Sequence, residues 1–429
     1  MLLLCTGDLH LGRRSSRLPA HLDGPAHATA AAWGRIVEHA LEAGVDVVVL
    51  SGDVVDRENR FYEAIGPLER GIRRLSEAGI DVVAVAGNHD HDVFPRLAAE
   101  LPSERFHFLG RGGVWERVTI ARDAERLHVV GWSFPEARVH ESPVASLGSD
   151  VLPEDDGAPV LGVVHADLDQ QASPYAPVSL AALRAVPVDF WLLGHVHAPR
   201  LFEAPGAAPV LYPGSPQAMD PGESGAHGVW LVETAGARIS RVRPVALSSV
   251  RYETVEVDVD GVDDVGALDA RVAEAVRGLL TGVAAGAGSL RVLSCRLRLT
   301  GRTSLQREIA ERAGRIVADL ALDEGLVTAV VDRVEDETRP ARDLDALARG
   351  NDPVAVVARL LLSLERGTLD DAQARLLADA TSRVSEVRRA RAYVALPGEG
   401  DEPPEAVARV ALARQASLLL DELLAQKEG

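Results

Sequence analysis

Apolar residues come in short runs through the first part of the chain, 2–5, 45–50, 82–86, 127–131, 160–164, 190–193, 210–212 and 229–232, interrupted by a charged or imidazole side chain only at Asp46 and His128. Runs of this length, rich in Val and Leu and without polar alternation, predict strands buried on both faces. Between the first three, residues 30–43 and 62–77 repeat apolar positions at helical spacing. Strand and helix therefore alternate over residues 1–245, which predicts a layered α/β domain. The stretch 141–159, rich in Ser, Pro, Asp and Gly, reads as a surface loop.

The pattern changes near 244–250. Residues 252–259 alternate apolar and polar as a half-exposed strand does, followed by a helix at 265–280, a Gly/Ala loop, a strand at 290–299 and a helix at 304–321. This predicts a small α+β module over 246–340, ending near the charged stretch 332–343. Residues 341–429 read as helical. Asp352-Pro353 is an N-cap followed by proline at the first helical position. Val356, Leu360, Leu361 and Leu364 then form an apolar stripe, and 369–393 continue at helical period. A linker at 397–404 precedes a last helix, 405–426, with Val407, Val410, Leu418, Leu419 and Leu423 apolar. Pattern alone leaves open whether these helices pack on their own domain or dock a partner.

No apolar run approaches the roughly 18 residues a membrane span needs. Met1–Cys5 has no basic leader and Asp8 follows at once, so a buried first strand and a cytoplasmic protein are expected. Cys5 and Cys295 lie in no metal-thiolate spacing. The net charge of −19 argues against a surface built for tight, autonomous DNA binding. Nucleic-acid contact would have to come from local clusters: Arg13, Arg14 and Arg17 past His10, and Arg57 and Arg60 past Asp56. A solvated face balanced by nearby acids is the equal alternative for both.

The chemistry lies where the strands run out. Asp8-Leu9-His10 follows the first predicted strand, Gly52-Asp53-Val54-Val55-Asp56 the second, and Gly87-Asn88-His89-Asp90 the third. His165 ends the strand at 160–164, and Gly194-His195-Val196-His197 follows 190–193. Strand ends on a rigid sheet are where α/β folds hold ligands. Carboxylates, imidazoles and an amide oxygen, with no thiolate, suit Mn²⁺, Fe²⁺ or Zn²⁺. A carboxylate can bridge two such ions, and a metal pair can clamp the attacking and leaving oxygens of a phosphoryl displacement. Each motif alone is ordinary turn chemistry; five in this order, all at strand ends, are not.

This order of motifs resembles the calcineurin-like metallophosphoesterase superfamily, over roughly residues 1–232. Asp8-Leu9-His10-Leu11-Gly12, the segment Tyr212-Pro213-Gly214-Ser215-Pro216-Gln217 and the return strand at 225–232 look like SbcD-type DNA-repair exonucleases. The stretch from Tyr175-Ala176-Pro177 to His197 most resembles the YhaO-like branch. The resemblance implies a two-sheet β sandwich flanked by helices, a capping domain at 246–340 and two divalent metal ions, with Mn²⁺ the foremost candidate. One ion would be held by Asp8, His10, Asp53 and His197. The other would be held by Asp53, Asn88, His165 and His195, with Asp53 bridging. His89 would act at the scissile phosphate, Asp90 would orient His89, and Asp56 would support the second motif from outside the ligand set.

The implied function is DNA cleavage in repair, with the helical tail docked on an SMC-like ATPase of the SbcC or YhaN kind and a possible homodimer. A small-molecule or nucleotide phosphodiesterase or phosphatase with the same dinuclear site is the alternative. Two departures from the SbcD pattern stand out: Gly7 occupies a position where many relatives carry Ser, and residues 57–60 lack the usual proline, which bears on DNA contacts in that loop. His91 has no family role and reads as a surface residue.

Overall fold

The apolar runs become the inner strands of two stacked sheets. In this computed structural model, which describes residues 1–56, 61–101, 104–236, 238–286, 288–389 and 403–428, the chain forms two compact units, Met1–Arg339 and Pro340–Gly429. The first unit begins with twelve strands: β1 (Leu2–Thr6), β2 (Val47–Leu50), β3 (Asp81–Ala84), β4 (Phe106–Phe108), β5 (Glu116–Arg122), β6 (Glu125–Trp132), β7 (Val160–His165), β8 (Phe190–Gly194), β9 (Arg200–Phe202), β10 (Val210–Tyr212), β11 (Gly228–Ala235) and β12 (Arg238–Ala246). One six-stranded sheet runs β12-β11-β1-β2-β3-β4 and the other β5-β6-β7-β8-β10-β9.

Alternate residues of each inner strand face different cores. Leu3, Cys5, Val47, Val49 and Val83 meet Val129, Leu161, Val163 and Leu192 between the sheets. Leu4, Val48, Leu50 and Val82 face helices α1 (Thr29–Ala43) and α2 (Phe61–Glu77), where Trp33, Ile36, Leu68 and Ile72 cover them. On the far side of the second sheet Val130, Trp132, Val164, Trp191 and Leu193 form a third cluster. Burial on both faces explains why these strands read as continuous apolar runs.

Of these twelve strands, those absent from the sequence reading are β4, β5, β9 and β12, which are the edges of the two sheets. Each is half exposed, so none carries an apolar run. Two short helices, Phe94–Glu100 and Leu180–Ala185, also escaped it.

Residues 250–336 add a four-stranded sheet, with β13 (Val250–Asp258), β14 (Val292–Thr300) and Val327–Asp336 parallel, and Ala321–Glu324 antiparallel at one edge. The helices Val265–Ala284 and Gln306–Asp319 supply Leu268, Val272 and Ile309 to a core with Val257, Leu297 and Val331. The stretch read as merely charged at 332–343 is in part the end of the Val327–Asp336 strand, where Arg333 is exposed and the buried Asp332 side chain pairs with Arg296 at 3.3 Å. Near the start of this sheet Val250, Tyr252, Val292 and Val330 pack with Ala218, Leu18 and Leu22, joining it to the loop that follows His10.

The second unit is helical: Leu344–Ala348, Pro353–Arg366, Asp371–Arg389 and Pro404–Glu428. Asp352 caps its helix as expected, accepting from Ala355 N at 2.9 Å, and its other oxygen pairs with Lys427 at 2.7 Å. The expected stripes are met in part. Leu361 and Leu364 are buried and Leu360 and Leu423 pack against the cluster, together with Val354, Val357 and Leu420, while Val356, Val410, Leu418 and Leu419 are exposed. Apolar residues lie all round the last helix, so spacing alone could not select its buried face. Most of the expected linker at 397–404 lies outside the described residues, as do 390–393. Among the described residues no helix is long and apolar enough to cross a membrane.

The contact between α1 and α2 is tight enough to test. Gly71 lies against the Trp33 indole, whose Nε1 donates to Pro67 O at 3.0 Å, and a Cβ at Gly71 would sit inside van der Waals contact of that ring. Glycine to alanine in a helix is ordinarily favourable by about 1 kcal/mol. Overpacking here costs about 1–3 kcal/mol. Gly71→Ala is therefore expected to lower the denaturation midpoint; a midpoint at or above that of the parent chain would show that the indole yields without cost.

Candidate metal centre

All five motifs converge because parallel strands end together. β1, β2 and β3 run parallel in one sheet, and β7 and β8 run parallel in the other. The loops beyond them are tied backbone to backbone: Asp8 N donates to Gly52 O at 3.0 Å, His10 N to Asp53 O at 2.9 Å and Leu11 N to Val54 O at 2.9 Å. Asp8, His10, Asp53 and His195 all have positive φ (50°, 44°, 50° and 98°). Non-glycine residues adopt that region at a cost and only where the surroundings hold them there, commonly at functional sites. Gly52 has φ of 97°, and a Cβ on it would lie 2.9 Å from Gly87 N, so only glycine lets the second and third loops approach.

The side chains meet in one place. Donor atoms of Asp8, His10 and His197 lie within 4.8 Å of one another, as do those of Asp8, Asp53 and His165. His10 Nε2 faces His197 Nε2 at 3.1 Å, and Asp53 Oδ2 lies 3.3 Å from His165 Nε2 and 3.8 Å from His10 Nε2. Asn88 Oδ1 sits 3.0 Å from His165 Nε2 and 3.3 Å from His195 Nδ1. Asp8 Oδ1 accepts from His195 N at 3.0 Å and Asp53 Oδ1 from His89 N at 2.9 Å, which orients both carboxylates.

The outward ring nitrogens test whether cations fit. His165 Nδ1 meets Ser51 O at 3.1 Å and His197 Nδ1 meets Glu223 Oε1 at 2.7 Å. His10 Nδ1 lies 3.4 Å from Asp56, and His195 Nε2 lies 3.7 Å from Asp167. Each imidazole thus has an acceptor on its outer side, and those of His165 and His197 are within hydrogen-bond distance, which draws the proton outward and turns a lone pair toward the centre. Lone pairs of four imidazoles, two carboxylates and an amide directed into one buried space suit divalent cations and little else.

The groups also shift one another's charge. Burial alone would raise the Asp53 carboxyl, but His165, His10 and His89 hold it well below the usual carboxylate range. Burial disfavours a charged His165, yet Asp53 and Asp8 outweigh it and push the imidazole up to about 9. His195 moves down, through its burial and the repulsion of His165.

The remaining predicted residues fall into three groups. His89, about two-fifths exposed, stands edge-on to His10 with ring centroids 4.9 Å apart, and its Nδ1 lies 3.6 Å from Asp56. It also forms a donor group with His10 and Asp53. Asp90 differs from expectation. Its fully buried carboxylate accepts from Val54 N at 2.7 Å, Val55 N at 3.2 Å and Gly87 N at 2.8 Å, so it clamps the second loop to the third, and the carboxylate beside His89 is that of Asp56. Burial and the charge of Asp53 raise the Asp90 carboxyl above its ordinary range.

Arg13, Arg14 and Arg17 lie on the loop after His10, with Arg14 and Arg17 exposed and Arg13 near enough to help hold the Asp56 carboxyl low. Arg57 and Arg60 lie outside the described residues. His91, expected at the surface, is largely covered and turns back on Asn88 O at 3.2 Å. Sequence reasoning missed Glu223, Asp167 and Tyr175, whose ring lies 4.8 Å from that of His195. Asp167 follows His165 by two residues and could have been suspected; Glu223 sits in a turn-rich loop that nothing in the spacing marks.

Comparison with known proteins settles the kind of domain this is. Residues 1–199 match the calcineurin-like phosphoesterase family, and residues 252–339 match the middle domain of the metallophosphoesterase YhaO. The chain carries a calcineurin-like metallophosphoesterase domain. The metallophosphoesterase YhaO of Bacillus subtilis, itself uncharacterized, is 30% identical over 269 residues, 61% of this chain and 64% of that protein. The DNA double-strand break repair protein Mre11 of Methanopyrus kandleri is 25% identical over 58% of this chain and 56% of its own length. Its counterpart from Haloferax volcanii is 30% identical over 63% and 57%. The chain spans less than two thirds of each of these relatives.

In the metallophosphoesterase domain the Asp90 clamp is a structural element with a measurable weight. Asp90→Ala leaves three buried backbone N–H groups without an acceptor, and such groups cost about 1–3 kcal/mol each. Denaturant unfolding with a chelator present is expected to show a loss of at least about 2 kcal/mol; a change within error would mean that the loops are held by other contacts.

Proposed function

We propose that this metallophosphoesterase is a DNA nuclease of DNA repair, and that it works with an SMC-like ATPase of the SbcC or YhaN kind. The observation that carries this reading is the extent of the likeness. The match to YhaO covers 269 residues, and those to the two Mre11 proteins are of similar length, so each reaches past the 199 residues of the phosphoesterase segment toward the four-stranded sheet. The Mre11 proteins are DNA double-strand break repair proteins.

In this reading Asp8, His10, Asp53 and His197 hold one divalent ion, and Asp53, Asn88, His165 and His195 the other, with Mn²⁺ the expected metal. When bound, such a pair supplies Lewis-acid stabilisation of the charge that develops on phosphoryl oxygens. The chain's own contribution centres on His89. The neighbouring Asp56 carboxylate raises its imidazole above the ordinary value, against the effect of partial burial. The ring can therefore carry a proton near neutral pH and deliver it to the departing oxygen. Arg13, Arg14 and Arg17 would hold the nucleic-acid backbone beside it. Residues 246–340 would cap the strand-end edge, and the helical unit, with Val410, Leu418 and Leu419 exposed, would dock the ATPase. The net charge of −19 fits a nuclease that takes most of its DNA affinity from a partner.

Hydrolysis of bis(p-nitrophenyl) phosphate and of DNA, each with and without Mn²⁺, tests the reading. Cleavage of both is expected; turnover of nucleotides or small monoesters with DNA left intact would replace the nuclease by a small-molecule phosphoesterase. Asp53→Ala is expected to abolish activity after chelation and readdition of Mn²⁺, and near-normal turnover would refute its shared-ligand role. His89→Ser is expected to keep its metal content and lose about 10²–10⁴-fold in rate. Metal analysis that finds this variant empty would move His89 into the ligand set.

A further inference from the structure

Each imidazole of the centre has an acceptor on its outer side, but the three carboxylates among those acceptors are not equivalent. Asp167 stands 3.7 Å from His195, and Asp56 stands 3.4 Å from His10 without a hydrogen bond. Glu223 is closest, with Oε1 2.7 Å from His197 Nδ1, and its side chain is only one-tenth exposed. It lies in the loop between β10 and β11, beyond the 199 residues matched to the phosphoesterase family.

Both carboxylate oxygens are engaged. Oε2 accepts from Ser215 Oγ at 2.9 Å and from Met219 N at 2.8 Å. The loop is itself anchored: the Gln217 side chain accepts from Arg35 at 2.7 Å and from Ser249 N at 3.2 Å, and Gly225 N donates to Tyr252 O at 3.0 Å. The last two contacts reach the start of β13 in the four-stranded sheet. A side chain held this way has one orientation in which to meet His197.

We propose that Glu223 is the positioning residue of the metal centre: it fixes the ring orientation and tautomer of His197, and so sets the affinity for the divalent cation that His10 and His197 share. This rests on the dinuclear reading above. A carboxylate only accepts, so His197 must donate from Nδ1 and present the Nε2 lone pair to the space where His10 Nε2 lies 3.1 Å away. Support of this kind for a ligand imidazole is commonly worth 10–100-fold in metal affinity.

The amide variant separates positioning from mere packing. In Glu223→Gln the Met219 N–H, which can only donate, holds the amide oxygen on its own side. The NH₂ group is then left facing His197 Nδ1. That pairing asks for a lone pair on Nδ1 and sends the ring proton to Nε2, toward the cation. Positioning therefore predicts that Glu223→Gln is at least as poor as Glu223→Ala at binding metal, although it fills the space better. A packing role predicts the opposite order.

Calorimetric titration of the full chain with Mn²⁺, alongside thermal melting in chelator, reads both quantities. The expected result is a roughly 10–100-fold loss of affinity in Glu223→Gln, no better than in Glu223→Ala, with a melting temperature nearer the parent's. Affinity equal to the parent's, or affinity that follows melting temperature across the variants, overturns the proposal. Glu223→Asp keeps the acceptor one methylene back and serves if the amide variant does not fold. It should retain more affinity than Glu223→Ala, and failure to do so also counts against the role. A parent chain that takes up no Mn²⁺ would overturn the metal reading itself, and this inference with it.

Discussion

Acceptor atoms aimed at a common point repel one another, and the metallophosphoesterase domain directs seven side chains of this kind into one buried space. His10 Nε2 and His197 Nε2, 3.1 Å apart, make the difficulty plain, since each has its proton drawn to the other side of the ring. A cation removes that repulsion. Everything around the centre acts to keep the donors in place against it. Positive φ at four of the seven positions, glycine where loops nearly touch, and backbone hydrogen bonds from the first loop to the second all serve this end.

The support is graded outward from the centre. Asp90 provides no donor; it ties the second and third loops by accepting three backbone N–H groups. Asp56 stands between His10 and His89 and makes the His89 imidazole more basic. Glu223 reaches His197 from a loop whose other contacts lie at the start of the four-stranded sheet, so the centre and that sheet share a joint. Arg35 reinforces it, with its guanidinium on Leu247 O and Gln217. Asp56 and Asp90 belong to the motifs themselves, whereas Glu223 and Arg35 occupy positions that no short motif spans.

The acidity of the chain has a place in the same account. A centre that needs buried carboxylates to hold cations is locally negative, and a nucleic acid brings more negative charge to it. The described arginines nearest the centre are few and sit on one loop, with Arg13 drawn toward Asp56. In the proposed nuclease function, steering a polyanion to such a site would fall to the metals and to any basic partner.

Sequence determined the inner strands of the two stacked sheets and the identity of the donors, because both follow from local rules. A strand buried on two faces must be apolar throughout, and the five motifs carry residue types whose chemistry does not depend on what lies next to them. Edge strands β4, β5, β9 and β12 stayed hidden because exposure on an edge removes the apolar signal. The role of Asp90 could not be read from its place beside His89, since neighbours in sequence project in different directions once the third loop turns. Glu223 is 26 residues from the imidazole it supports, and only the return of the chain from β10 to β11 brings them together. The buried face of the last helix, likewise, was decided by packing, because apolar residues surround that helix and spacing does not rank its sides. What the sequence specified was the chemistry each residue can perform; the tertiary structure decided which of them act on one another, because contact across long separations is set by where strands end and loops close.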